Sequence, residues 1–291
     1  MTTSIKQFLS TPNHPFFDVV IILILAFTTP QASYANTTLP KWELGFGPGV
    51  ISYPDYPGSK EQNTLILPIP YFVYRGKDFS INNNELIKPF FKNNNFELDL
   101  SASGNIPVSS KENDRRLGMN DLNGSIGLGP VLKYTLFNNK TNNIKFELPL
   151  EAIIASDFKT IHTEGWITSP GVSYSYKKAY SSKNRIALTA GISAQYASSE
   201  YHNYLYGVPL QYASNERSFY KSTEGFSGVN YTVGLSYHFD NFWLGSFWHG
   251  FDLSQAVYKD SPLIDNQFSH TYGLVLTWNF LKSKDRVYGY E

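Results

Sequence analysis

The chain has no cysteine and only 2 methionines. That excludes disulfide scaffolds, thiolate zinc sites, iron–sulfur clusters and cysteine nucleophiles. Charge is also scarce: 16% of residues are Asp, Glu, Lys or Arg, against about 25% in an average soluble domain. The 24 basic residues balance the 24 acidic ones, and a chain without basic excess is poorly suited to nucleic acid. Long apolar runs are missing, with one exception at residues 19–27. A helix of that length rises about 13 Å, under half of a ~30 Å hydrocarbon core. It suits the apolar segment of a signal peptide, not a membrane span. Ser33, Tyr34 and Ala35 follow it, with small residues placed for a cut before Asn36. The expectation is a signal peptide over residues 1–35, cleaved between Ala35 and Asn36, and export to a bacterial envelope.

What the chain does have is aromatic residues, 16% of the total, and alternation. Between residues 268 and 280 one parity reads Phe268, His270, Tyr272, Leu274, Leu276, Trp278 and Phe280. The other reads Ser269, Thr271, Gly273, Val275, Thr277 and Asn279. The same period of two recurs at 144–154, 186–196 and 229–239. Side chains on a strand point to opposite faces in turn, so each segment has one apolar and one polar face. A soluble sandwich turns the apolar face inward, whereas an outer-membrane barrel turns it toward lipid.

Three features select the barrel. The segments are about twice the ~5–6 residues of a sandwich strand, and a strand of ~10 residues tilted ~45° crosses the hydrocarbon layer. Aromatics gather near the segment ends, among them Trp42, Tyr134, Trp166, Tyr196, Tyr237, Phe242, Trp278 and Phe280, where amphipathic rings suit the lipid–water boundary. The polar face carries small residues and charges of both signs: Glu97, Asp99, Lys133, Lys145, Glu147, Glu151 and Arg185. Such charges belong in a lumen, where they form an eyelet or pair and fill the interior. Linkers alternate between short and long, as periplasmic turns and outer loops do.

The pattern gives an all-β, antiparallel transmembrane β-barrel of about 12 strands, with 10 as the alternative because segments 78–83 and 85–92 are short and Asn-rich. The barrel occupies residues 36–280. Residues 281–291 follow the closing aromatic Phe280 as a periplasmic tail, either a plain extension or a partner contact. Pro68, Pro70, Pro130, Pro149 and Pro170 interrupt strand patterns and mark expected irregularities. Residues 197–225 read as a long outer loop, and no helical periodicity stands out past Asn36.

Short motifs run through the mature chain. They are Trp42 to Gly49, Gly58-Ser59, Leu67-Pro68-Ile69-Pro70-Tyr71, Tyr74-Arg75-Gly76, Gly118-Met119-Asn120-Asp121, Gly207-Val208-Pro209 and Asp260-Ser261-Pro262-Leu263. In order and spacing they resemble the MipA/OmpV family, the MltA-interacting outer-membrane proteins, over nearly all of residues 40–280. Gly58, Pro70, Tyr74, Gly76, Gly118, Met119, Asp121, Ser261 and Pro262 are the family-motif positions. The resemblance implies a Gram-negative outer-membrane protein in contact with lipid and lipopolysaccharide. It further implies a scaffold that couples a lytic transglycosylase to a bifunctional penicillin-binding protein. A narrow pore, a surface adhesin and a lipid-modifying barrel enzyme are the alternatives.

Nothing in the sequence carries catalysis or a cofactor. There is no Gly-x-Ser-x-Gly elbow. His238 and His249 fall on polar faces, His270 on an apolar face near a strand end, and His162 and His202 in loops. No His, Asp and Glu cluster has metal-ligand spacing, and the loop acids Asp114 and Asp121 read as solvated. The glycines Gly45, Gly47 and Gly49 precede no helix, which removes the phosphate-cradle reading.

Overall fold

Antiparallel strands joined to their nearest neighbours make up almost all of the regular structure. The computed structural model describes residues 38–75, 80–81, 90–157, 160–181 and 184–288. The expected signal segment, the bond between Ala35 and Asn36, and Gly76 lie outside the described residues. The strands are β1 (Thr38–Pro40), β2 (Trp42–Pro54), β3 (Gln62–Arg75), β4 (Ser80–Ile81), β5 (Phe91–Lys92), β6 (Phe96–Asn105), β7 (Gly124–Asn138) and β8 (Asn142–Ser156). They continue with β9 (Ile161–Thr168), β10 (Gly171–Ala179), β11 (Asn184–Ala197), β12 (Gly225–Phe239), β13 (Phe242–Asp252), β14 (Phe268–Lys282) and β15 (Arg286–Tyr288).

Around the main sheet the order is β4-β3-β2-β14-β13-β12-β11-β10-β8-β7-β6-β5. β9 lies on the same line as β10 and pairs with β8 and β11. The first long strand, β2, therefore hydrogen-bonds to the last, β14, which is the joint that closes a barrel. β4 and β5, at the two ends of this order, flank residues 82–89, which lie outside the described residues.

The apolar parity faces outward. Along β14, Leu274, Leu276 and Trp278 are 48%, 40% and 54% exposed, while Val275 and Thr277 are 0% exposed. In β8 the outward residues are Phe146, Leu148, Leu150 and Ile154; in β6 they are Phe96, Leu98 and Leu100. Two aromatic belts rim this surface. Toward the short turns, Tyr237, Phe239 and Phe242 stack in succession and Trp278 meets Phe280. Toward the long loops, Trp248 stacks on Phe268 and His270 on Tyr272. From Phe268 to Phe280 the strand covers about 40 Å, or roughly 28 Å of depth at a ~45° tilt, the height of a hydrocarbon layer.

Most strand prolines leave the ladder intact. Pro48 and Pro68 oppose each other within an unbroken β2–β3 register, and Pro130 pairs regularly with Leu100. A proline fits where its nitrogen is not asked to donate. Only at Pro170 does the strand expected over 165–177 break, into β9 and β10. Register shifts lie elsewhere, including one between Trp278 and Leu281 on β14. That shift carries β14 two residues beyond Phe280, to Lys282. The chain then turns back, and β15 pairs with β1, so the two ends of the described chain meet in a two-stranded sheet below the barrel wall.

The seam between β2 and β14 depends on glycine. A Cβ on Gly47 would stand 1.9 Å from the Leu276 carbonyl oxygen and 2.8 Å from the Thr277 Cα. Both obstacles are backbone, so only a residue without a side chain lets the two strands approach. Gly47→Ala is expected to destabilise the barrel by about 1–3 kcal/mol, the usual cost of overpacking. Gly191→Ala meets mainly the Thr232 hydroxyl, which can rotate, and should cost less. Urea midpoints of the two variants in lipid check this; equal midpoints would contradict the role given to Gly47.

Candidate functional site

The inward-facing side chains form two unlike walls. On β6, β7, β8 and β10 the wall is polar. Lys133 donates to Asp99 at 2.7 Å and Lys145 to Glu97 at 3.2 Å. Lys133 is also 3.9 Å from Glu97, and Lys92 approaches Glu97 at 3.7 Å. The Ser173 hydroxyl donates to Glu147, and the Ser101 and Ser103 hydroxyls donate to the two oxygens of Glu151. Each of these carboxylates thus meets an ammonium or a hydroxyl, as a buried charge requires. Six of the seven candidate lumen charges share this wall. Arg185 does not: it lies on β11, cross-strand from His238 near the tight turn at Asp240 and Asn241.

The opposite wall is apolar. Ile51, Leu67, Ile69, Tyr71, Val73, Trp243 and Val275 form one buried apolar cluster. β3 is apolar on both parities, with Leu67, Ile69, Tyr71 and Val73 inward and Ile66 and Phe72 outward. Alternation therefore cannot assign its inner face from sequence. Near the short turns this wall reaches across the interior. β3 and β12 are separated by β2, β14 and β13, yet the Tyr71 hydroxyl lies 3.1 Å from Nε2 of His238. The Tyr71 and Trp243 rings are 5.7 Å apart. Beside them the buried Arg75 and Glu43 pair at 2.8 Å, and Arg75 also donates to the Pro40 carbonyl.

The long-loop end is closed by a second core built from four loops, those between β2 and β3, β6 and β7, β11 and β12, and β13 and β14. Its residues include Tyr56, Val108, Leu122, Tyr201, Leu205, Tyr206, Val208, Tyr258 and Leu263, packed on Ile153, Ile167 and Phe251 of the upper barrel wall. An α-helix, α1 (Ser199–Tyr206), lies within the loop expected to be irregular. Ser198 caps it by accepting from the Tyr201 N–H. Tyr206 stacks on Tyr258 with centroids 3.9 Å apart and meets Tyr56 edge-on. The hydroxyl of Tyr56 donates to the Leu263 carbonyl, that of Tyr206 to Pro57 and that of Tyr258 to Ser227. The buried Arg116 donates to the Leu205 and Asn120 carbonyls and lies over the Tyr56 ring. Asn113 binds Asp55, Ser59 and Glu61 together. Burial pushes the Tyr56, Tyr206 and Tyr258 hydroxyls up and the Arg116 guanidinium down from their ordinary pKa values.

The family-motif positions divide between this plug and the lipid face. Gly58 sits at a φ of 97°, a conformation that favours glycine. Its N–H donates to the Ser269 hydroxyl, and its carbonyl accepts from Asp265 and Asn266. Gly118 makes a positive-φ turn, Met119 packs against the plug core and Asp121 accepts from the Ser110 N–H. Ser261 donates to the Tyr206 carbonyl, and Pro262 follows it beside the buried Leu263. Pro70 and Tyr74 are on the outer face of β3. Asp114 pairs with Lys60 at 2.8 Å. Among the described residues no group of three or more His, Asp and Glu could hold a metal ion.

One juxtaposition escaped the sequence. His202 is fully buried; its Nδ1 donates to the Thr223 carbonyl at 2.7 Å, which leaves Nε2 to accept from the Ser227 hydroxyl at 2.7 Å. This resembles a nucleophile with its base, but Nδ1 meets a carbonyl where a triad has an acid, and Ser227 is 0% exposed. The pair ties α1 to β12. A serine capping position before Glu200, with Gly207 and Pro209 after the helix, was the available signal for α1.

A sheet that pairs its first long strand with its last, greasy outside and rimmed by aromatic belts, defines a β-barrel of the outer membrane. No helix among the described residues is long and apolar enough to cross a membrane. The chain belongs to the MltA-interacting protein MipA family, whose model matches residues 46–280. No curated protein matches the chain. Among solved structures it is similar to a bacterial polysaccharide outer membrane secretin, at 8% identity, covering 82% of this chain and 99% of that one, with a TM-score of 0.42. It is also similar to the NanC porin, at 8% identity over 82% and 99% with a TM-score of 0.33. A third is the outer membrane protease OmpT from Escherichia coli, at 8% identity over 87% and 100% with a TM-score of 0.29. Likeness at this level carries no functional argument.

Burial holds the His202 pKa below its ordinary value. The unfolded plug therefore binds a proton that the folded plug refuses. Plug stability is full above about pH 6.5 and falls as pH drops toward the lower folded value. Hydrogen exchange in α1, corrected for intrinsic rates, should accelerate between about pH 7.5 and 5.5. His202→Asn should flatten that dependence even if it loosens the helix. An unchanged pH profile in the variant would remove His202 as the cause.

Proposed function

We propose that this protein is a non-enzymatic scaffold of the Gram-negative outer membrane. It holds a murein hydrolase of the lytic transglycosylase type and a bifunctional penicillin-binding protein together from the periplasmic side. Export proceeds through a signal peptide cut between Ala35 and Asn36. Inner-leaflet lipid and outer-leaflet lipopolysaccharide contact the two aromatic belts. The observation that carries this reading is an interior filled at both ends, by Tyr71, His238 and Trp243 below and the four-loop core above. With the interior packed at these two levels, the surfaces of the barrel are what it offers to partners. The family description, MltA-interacting protein, supports the lytic transglycosylase as a partner. The surfaces available in the periplasm are the short turns and the β1–β15 sheet.

The polar wall favours one second reading, a narrow pore in which Lys133, Lys145, Glu97 and Asp99 act as an eyelet once the plug moves. Two measurements separate the readings. A photo-crosslinking side chain at Lys284 should capture a lytic transglycosylase and a penicillin-binding protein in intact cells, and one at Leu210, on the plug, should not. Capture of surface ligands alone would end the scaffold reading. In planar bilayers the protein should give little or no conductance; large, regular, ion-selective steps would assign the pore instead.

A further inference from the structure

The chain is neutral overall, yet the fold sorts its surface charge by end. At the short-turn end Lys41, Lys140, Lys178, Lys282, Lys284 and Arg286 are exposed or half-buried. Among the described residues there, the exposed acids are Asp240 and Asp285, while Glu43 is buried against Arg75. At the long-loop end the sign reverses. Among the described residues there, the exposed acids Glu112, Asp114, Asp121, Asp157, Glu200, Glu216, Glu224 and Asp260 outnumber the exposed cations Lys60, Lys111, Arg115, Lys221 and Lys259, of which Lys60 and Arg115 are paired with Asp114 and Asp265. Composition hides this separation; it emerges only when alternate turns are gathered to one pole. Charges within about 10 Å of one another sum to a common field at physiological salt, so the short-turn collar presents a basic face.

The position of the collar favours one partner. The short turns mark this pole as periplasmic. Lys178 stands over the Tyr180 ring at 5.0 Å and Lys41 over the Tyr74 ring at 6.0 Å, whereas other cations lie in turns or past the last long strand. Lys140 is in the β7–β8 turn, past Leu136 and Phe137 on the exposed face. Lys284 and Arg286 follow Phe280 and Leu281, in the segment that turns away to form β15. Lys140, Lys284 and Arg286 thus lie past the ends of the long strands, on the side where murein lies. Murein stem peptides carry free carboxylates at repeating positions, so a ring of cations can engage several at once. We propose that the periplasmic collar binds the murein layer directly, through its carboxylates. This goes beyond the scaffold reading, because it requires neither protein partner.

The test is co-sedimentation of the purified full-length protein, in neutral detergent, with protein-free murein sacculi. Binding should be present at low salt, vanish by about 300 mM sodium chloride where the Debye length is short, and vanish with sacculi whose carboxylates have been amidated. A collar variant carrying Lys140→Gln, Lys282→Gln and Lys284→Gln should bind about tenfold more weakly. A variant with the same charge change at the other pole, Lys111→Gln, Lys221→Gln and Lys259→Gln, should bind as the parent does. Absence of co-sedimentation, or co-sedimentation indifferent to amidation, would overturn the proposal. So would a collar variant that keeps its sacculus binding and loses only affinity for phosphatidylglycerol vesicles, which would assign the collar to inner-leaflet headgroups. No enzyme is present in this assay, so its failure leaves the scaffold reading intact, and failure of the crosslinking experiment leaves the collar intact.

Discussion

Against acyl chains no backbone donor or acceptor can be left open, and the architecture follows from that requirement. Fifteen-residue strands such as β7, β8, β12 and β14 are long enough to cross the layer. Crossing alone does not protect the edges of the sheet; pairing β2 with β14 covers two of them, and the described order ends on the two-residue strands β4 and β5. The seam between β2 and β14 therefore tolerates little bulk, and Gly47 is placed where any Cβ would strike the neighbouring backbone. A ring of about twelve strands is also narrow. Inward side chains from non-adjacent strands meet across it, as Tyr71 and His238 do.

The two interior walls solve one problem by different chemistry. The apolar wall excludes water with Ile51, Leu67, Ile69 and Val275. The polar wall must compensate each carboxylate and does so with lysines and serine hydroxyls on neighbouring strands. The plug above combines both, with stacked tyrosines whose hydroxyls donate to loop carbonyls. Loops that would otherwise be free become a small core of their own.

Much of this architecture was readable from residue order, for reasons that differ by element. Strands with strict alternation, such as β8, β11, β12 and β14, declare both their existence and their outward face. β3 declares neither face, because Ile66 and Leu67 are equally apolar. The six polar-wall charges were legible because strand parity alone turns them inward; that Arg185 stands apart depends on register, which no local pattern contains. Prolines overstated disorder: a ladder ignores a missing donor wherever the nitrogen points to the unbonded side, and only Pro170 splits a strand. The plug was the least legible part. Its contacts join residues as far apart as Tyr56 and Leu263, and α1 is too short for periodicity to register. The motif glycines and Ser261 were visible as motifs, but their purpose, holding that cap, was not. Charge polarity was invisible because the chain as a whole is neutral.

The direction in which the strands turn their apolar parity decides the account. The absence of native cysteine makes spin labelling clean: single cysteines can be placed one at a time from Tyr272 to Thr277 in the protein reconstituted in bilayers. Collision with dissolved oxygen, which concentrates in the hydrocarbon, should peak at positions 272, 274 and 276 and fall at 273, 275 and 277. A profile of opposite phase, or one without a period of two, would show that the greasy parity faces inward and that the strands do not meet lipid.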